Sequence, residues 1–157
     1  MRLLPRAVAG YWPNRRLILA SLDWTRPKDP PLSLGAASIL ANLRKYNIDV
    51  VANSWSVNHD TFSHHQITDY ILQNSSDVTD VALGAFVWNE RYIQNILADL
   101  KEANFRGNII LGGPQISYVK SGLERYYPQA DIFIRGYAEE ALANLYLATD
   151  PLPNITG

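Results

Sequence analysis

Cysteine is absent from the chain. Its absence excludes disulfides, thiolate zinc sites, a cysteine nucleophile and any iron–sulfur cluster held by these residues. Charge of one sign is also scarce, since 14 Lys+Arg against 15 Asp+Glu leave a formal net charge of −1. That balance offers no electrostatic hold on nucleic acid, and 47% hydrophobic residues do not suit a disordered chain. A neutral small molecule or a protein partner suits this surface better. No apolar run approaches the roughly 20 residues of a membrane span. The opening segment, with Arg2, Pro5, Arg6 and Pro13, lacks the apolar stretch of a signal peptide. We therefore expect no nucleic-acid or membrane partner and a cytoplasmic location.

What is present is a cadence. A chain of 157 residues is the size of one domain, long enough to bury about 68–70% of the surface its unfolded form exposes. Apolar runs begin near Leu17, Ile48, Val81, Ile109 and Ile132, each followed by turn residues and then a segment with helical periodicity. Strands are expected at 17–22, 48–52, 81–87, 108–111 and 131–134. Helices are expected from Leu34 to near Asn47, over 61–74, after a capping Asn89, over 119–127, and along Ala138, Ala141, Leu142 and Leu145. Five such units with right-handed crossovers predict an α/β fold, a three-layer αβα sandwich on a five-stranded parallel sheet of order 2-1-3-4-5, flavodoxin-like or Rossmann-like. Residues 1–15 read as an extension, 16–149 as the domain and 150–157, rich in proline, as the start of a linker.

In such sheets a ligand lies over the carboxyl ends of the strands. Four loops meet there: Asp23 to Gly35, Gly84 to Asn89, Gly112 to Ser117, and Arg135 to Glu139. Any α/β domain needs glycine at tight turns, so one of them means little; three strand ends marked by glycine favour a ligand. His59, His64 and His65 could suggest a metal. Adjacent histidines on a helix diverge and no second ligand type stands beside them in sequence, so they read as a solvated helix end and no metal residues are assigned. Trp24 and Trp55 read as edge packing, whereas Trp88, between Gly84 and the third helix, is assigned to the ligand. Glu139 and Glu140 suit the positive end of the last helix without acid–base chemistry, and no catalytic residues are assigned.

These residues resemble the cobalamin-binding domain that precedes the catalytic barrel of cobalamin-dependent radical S-adenosylmethionine proteins. The matching motifs are Pro30-Pro31-Leu32-Ser33-Leu34-Gly35, Leu111-Gly112-Gly113-Pro114, and Asp131-Ile132-Phe133-Ile134-Arg135-Gly136-Tyr137-Ala138-Glu139-Glu140. Tyr137 and Ala138 stand where the family usually has glutamate and glycine. The resemblance implies cobalamin over the strand ends, its nucleotide tail running down between sheet and helices. It also implies a radical catalytic domain in cis, carrying S-adenosylmethionine and a 4Fe-4S cluster, and methyl transfer as the activity of that longer protein. This chain alone would then be inactive. Thr25 occupies the position from which other cobalamin domains send a histidine to cobalt, so no histidine ligand is expected there.

The broad, apolar-faced corrin wants glycine turns, an apolar floor and scattered donors. Cofactor-binding residues are therefore assigned to Thr25, Leu34, Gly35, Gly84, Ala85, Phe86, Trp88, Gly112, Gly113, Pro114, Ser117, Gly136, Tyr137 and Glu139. Arg26 and Lys28 could meet a phosphate but read as a solvated loop. Two other readings stand beside this one. A flavodoxin-like domain could bind a nucleotide or flavin, although no Gly-x-Gly-x-x-Gly follows the first strand. Alternatively, a ligand-free interaction domain would show a closed pocket. A phospho-receiver is disfavoured by Gly84-Ala85-Phe86 where an aspartate is needed.

Overall fold

The structure is a computed structural model that describes residues 14–148; the expected extension up to residue 13 and the expected linker at 150–157 lie outside them. The five expected strands are present as β1 (Arg16–Asp23), β2 (Val50–Ser56), β3 (Thr79–Gly84), β4 (Ile109–Gly112) and β5 (Ile132–Phe133). They form one parallel sheet, as the alternation of strand and helix predicts, in the expected flavodoxin-like order β2-β1-β3-β4-β5.

Strand alternation divides the interior in two. Ile18, Ala20, Leu22, Val81, Leu83, Ile109 and Leu111 face a larger core shared with α2 (His64–Gln73) and α3 (Glu90–Glu102). Leu17, Leu19, Ala82, Ile110, Ile132 and Ile134 face a smaller core under α1 (Leu34–Lys45) and α6 (Ala138–Leu147). In α3 the residues Ile93, Ile96, Leu97 and Leu100 are all buried, as a stripe at helical spacing requires. Ser33 begins α1 by accepting a hydrogen bond from the Ala36 N–H.

Four sequence expectations are corrected. The helix expected over 119–127 is shortened to α5 (Leu123–Tyr126), and a separate short helix, α4 (Pro114–Ser117), occupies the stretch expected as the loop from Gly112 to Ser117. Pro114 sits in the first turn of α4, and Gly122 adopts a left-handed conformation (φ 82°) that no continuous helix tolerates. The third strand ends at Gly84 rather than 87 because Phe86 enters a turn closed by Asn89. The second strand is shifted later, pairing along all of β1 from Leu17↔Val50 to Asp23↔Ser56. Finally, Asn89 does not cap α3 with its side chain. Fully buried, it accepts from the Phe86 N–H (2.8 Å) and donates to the carbonyls of Gly84 (2.9 Å) and Leu22 (3.5 Å), so it ties the ends of β1 and β3 together instead. No helix among the described residues is long and apolar enough to cross a membrane.

Candidate functional site

The carboxyl ends of β1, β3 and β4 and the turn after β5 border a cavity of about 530 Å3. It continues below the sheet edge. Leu19, Ala82, Ile110 and Ile134 line it from the sheet, and Ala36, Ile39, Ala138 and Leu142 line it from α1 and α6. The cavity therefore runs down between the sheet and this helix pair, into the smaller of the two cores. Small side chains create the room: Ala82 faces Ala36 and Ala138 where larger residues would close the layer. α1 and α6 are nonetheless held together, with the Asn42 side chain donating to the Glu139 carbonyl at 2.8 Å.

Glycines shape the mouth. Gly113 has φ 94°, and a Cβ there would lie 2.7 Å from the Ala85 carbonyl oxygen, so only glycine lets the loop after β4 close onto the loop after β3. Gly112 differs: a Cβ would meet only the Ile134 carbonyl, at 3.7 Å, and at Gly35 it would meet nothing within 4 Å. Both border the cavity, so the protein leaves open the space their missing side chains would take. Phe86 and Trp88 stack with centroids 5.1 Å apart and planes at 18° on one side of the mouth. Tyr137, 83% exposed, stands on another.

Of the residues assigned from sequence, Gly35, Gly84, Phe86, Trp88, Gly112, Gly113, Gly136, Tyr137 and Glu139 line the cavity. Thr25, Leu34, Ala85, Pro114 and Ser117 do not, for identifiable reasons. The Thr25 hydroxyl is bonded to Ser56 and its backbone is clamped from both sides by the Asn58 amide, which fastens the loop after β1 to the end of β2. Ser117 accepts from the Gly136 N–H at 3.1 Å, so it braces a lining residue instead of lining. Ala85 is fully buried beneath Gly113, and Leu34 and Pro114 point outward at the first positions of their helices.

The structure adds residues that sequence reasoning missed. Trp24, expected to pack on the edge, is 62% exposed and lines the mouth. Trp55, by contrast, does pack, edge-on against Tyr70 at 5.2 Å. Asp23 also lines the cavity, its carboxylate accepting from Ser21 (2.8 Å) and Ser54 (2.6 Å) hydroxyls. Ser33 joins it at the start of α1. The signal for Asp23 was available: Ser21 and Asp23 recur at the strand period on the same face of an otherwise apolar run. Arg26 is exposed and pairs with Asp29 (3.5 Å), as a solvated loop does.

The histidine cluster lies outside the cavity, and one premise about it is corrected. His64 and His65 do not diverge. Their rings are 4.0 Å apart, and both reach the Asp99 carboxylate, from Nε2 of His64 (3.2 Å) and Nδ1 of His65 (3.3 Å). Asp99 belongs to α3, so only the packing of two helices reveals it.

A parallel doubly wound sheet with a cavity opening at the strand carboxyl ends and continuing beneath one helix pair places the molecule among the doubly wound α/β domains, the class in which ligands bind at that edge. Comparison with known families is specific. A family model for the B12 binding domain matches residues 26–146, and the chain belongs to that family. Solved structures resemble it more distantly. A protein of Listeria monocytogenes provisionally described as a sugar-phosphate isomerase matches at TM-score 0.48 and 12% identity, over 76% of this chain and 50% of that one. The N-terminal domain of a hypothetical protein from Thermotoga maritima matches at 0.47 and 19%, over 78% and 88%. The sugar isomerase domain of an RpiR transcription factor from Sphaerobacter thermophilus matches at 0.46 and 11%, over 83% and 58%. The chain thus spans about half the length of the Listeria protein (50%). No curated protein matches the chain.

Proposed function

We propose that this domain carries cobalamin over the carboxyl edge of its sheet, with the nucleotide tail in the cavity between the sheet and α1/α6, and presents the cofactor to a radical S-adenosylmethionine domain of the same polypeptide. The observation that carries this reading is the cavity's depth. A purely edge-bound ligand needs no room beside Ala82 and Ile110, whereas a cofactor with a long appendage does. Its volume, about 530 Å3, lies within the roughly 300–1,000 Å3 of small-molecule pockets, enough for the tail but not for the macrocycle as well. The corrin would rest outside, over Gly84, Gly112 and Gly136, with Trp88 and Tyr137 at its rim and the Ser33 hydroxyl or Glu139 carboxylate near its amides. The open mouth is unlike the closed pocket of a domain that has lost its ligand.

None of the three histidines is among the cavity-lining residues. The lower face of cobalt would therefore receive no imidazole from the described residues, and the cofactor is expected base-off. When bound, cobalamin supplies a carrier for the methyl group in methyl transfer. This chain's own part is to hold the tail, orient the ring and leave the upper face free for the catalytic domain. Methyl transfer, the S-adenosylmethionine and the 4Fe-4S cluster rest on the motif resemblance, and all three would belong to that other domain, since these residues contain no cysteine.

The test is incubation with hydroxocobalamin, gel filtration and a visible spectrum. Retained corrin with a base-off spectrum is expected. A spectrum with imidazole on cobalt would overturn the assignment of the lower face, and loss of corrin from a chain that also carries the downstream domain would overturn cobalamin binding. The reading frame beyond Gly157 is separately expected to encode a Cys-x-x-x-Cys-x-x-Cys loop; without it the radical partner fails while cobalamin binding stands.

A further inference from the structure

The grouping of His64, His65 and Asp99 has no part in the cavity. We infer that it is a binding site for a divalent transition cation of the zinc class, bridging α2 and α3.

Geometry is the first argument. One donor atom from each residue lies within 4.8 Å of the others. Asp99 Oδ2 is 3.2 Å from His64 Nε2 and 3.3 Å from His65 Nδ1. Two ligands held about 2.0–2.2 Å from one ion stand about 2.8–3.1 Å apart at an octahedral right angle and about 3.3–3.6 Å apart at the tetrahedral angle. The 3.3 Å separation matches the tetrahedral edge and the 3.2 Å separation lies between the two edges, so the oxygen and either nitrogen accept a common ion with little rearrangement. The imidazoles sit in the first turn of α2 with His65 largely exposed, so its ring has room to turn toward a common ion.

The second argument is the support behind the carboxylate. Thr68 is 5% exposed, and its hydroxyl donates to the same Asp99 Oδ2 at 3.1 Å. Metal-binding carboxylates are commonly held by such a hydrogen bond, which fixes their orientation before the ion arrives. The third argument is chemical. Two imidazoles and one carboxylate without thiolate suit Zn2+, Ni2+ or Cu2+ and are poor for Mg2+ or Ca2+, which prefer oxygen. Three protein donors leave at least one position for water, the composition of an open site and not of a closed structural one. His59 is not among the residues whose donors converge, and its Nδ1 is engaged with the Thr61 hydroxyl at 2.9 Å.

The experiment is titration of the corrin-free protein with Zn2+ against a chromophoric chelator, with histidine ring resonances followed in parallel by NMR. One equivalent is expected to bind, shifting the His64 and His65 resonances but not those of His59. Asp99→Asn and the double change His64→Ala/His65→Ala should each weaken binding by tenfold or more, and Thr68→Val by roughly 10–100-fold. His59→Ala should bind as the unaltered protein does. The two histidines and Asp99 are at least partly exposed and Thr68→Val keeps the shape of the buried side chain, and unchanged far-UV circular dichroism will establish that the variants fold. Absence of saturable binding, binding unaffected by Asp99→Asn, or shifts centred on His59 would each overturn the assignment. Corrin retention is read separately, so its failure does not bear on this site.

Discussion

The two edges of the sheet are built on opposite terms. At the amino edge the Asp80 carboxylate is fully buried and every approach to it is taken. It accepts from Arg15 through two nitrogens (2.6 and 2.9 Å), from the backbone and side chain of Asn108 (2.8 Å each) and from the Tyr146 hydroxyl (2.9 Å). Beside it the Asp131 carboxylate accepts from the Ile109 N–H at 2.8 Å. β3, β4, α6 and the approach to β1 are thereby joined. At the carboxyl edge the corresponding positions are glycines, exposed aromatic rings and a cavity. A buried charge is tolerated only when its partners satisfy it, and open backbone is tolerated only where something else will cover it. The first edge holds the fold and the second is left for a ligand.

The contrast is broken most severely at Asp80. Asp80→Ala removes the carboxylate on which Arg15, Asn108 and Tyr146 converge and should cost about 3–5 kcal/mol, read as a lowered urea midpoint. Folded molecules of this variant should still retain corrin. The inverse change is Ala82→Phe, which puts a ring into the cavity beneath α1 and α6. Retained corrin should fall at least tenfold, with a stability change within the roughly 1–3 kcal/mol of overpacking; undiminished retention would place the ligand elsewhere.

Neighbouring glycines sharpen the comparison within the carboxyl edge. Gly113→Ala forces a methyl toward the Ala85 carbonyl at φ 94° and should cost about 1–3 kcal/mol. Gly112→Ala should leave stability nearly unchanged while weakening corrin retention severalfold, because its Cβ would meet the Ile134 carbonyl oxygen at 3.7 Å, an ordinary van der Waals contact. Equal effects on stability would erase the distinction between a glycine the fold needs and one the ligand needs.

The smallest effect is expected from an ionisable tie near the carboxyl edge. The Tyr127 hydroxyl donates to Glu90, the first residue of α3, at 2.9 Å. Burial first, and then this bond, raise its pKa above the ordinary tyrosine value. The folded state therefore keeps a proton that the unfolded chain begins to lose near pH 10. Stability from this group is fully present below that value and declines as pH rises beyond it toward the folded value. Tyr127→Phe should flatten the alkaline limb of a stability–pH profile, and a profile identical to the parent's would remove the tie.

Much of this was legible before any coordinates. Ile93, Ile96, Leu97 and Leu100 announce a helix by spacing alone, and runs such as Leu17 to Leu22 announce strands covered on both faces, because burial patterns repeat with the period of the local backbone. Glycines at three strand ends located the mouth of the cavity. Elements whose limits depend on long-range contacts were less legible. The turn at Phe86 is closed by Asn89 reaching back to β1 and β3, and the split of α4 from α5 follows from one left-handed glycine that a hydrophobic pattern does not register.

Periodicity and turn residues thus sufficed for the succession of strands and helices and the layer architecture, since each is written in neighbouring residues, while the strand order followed from the common topology of doubly wound parallel sheets. The depth of the cavity, the burial of Asp80 and the meeting of His64 and His65 with Asp99 were decided by packing. Their partners stand tens of residues apart in the chain, and only the docking of helices onto the two faces of the sheet brings them within reach.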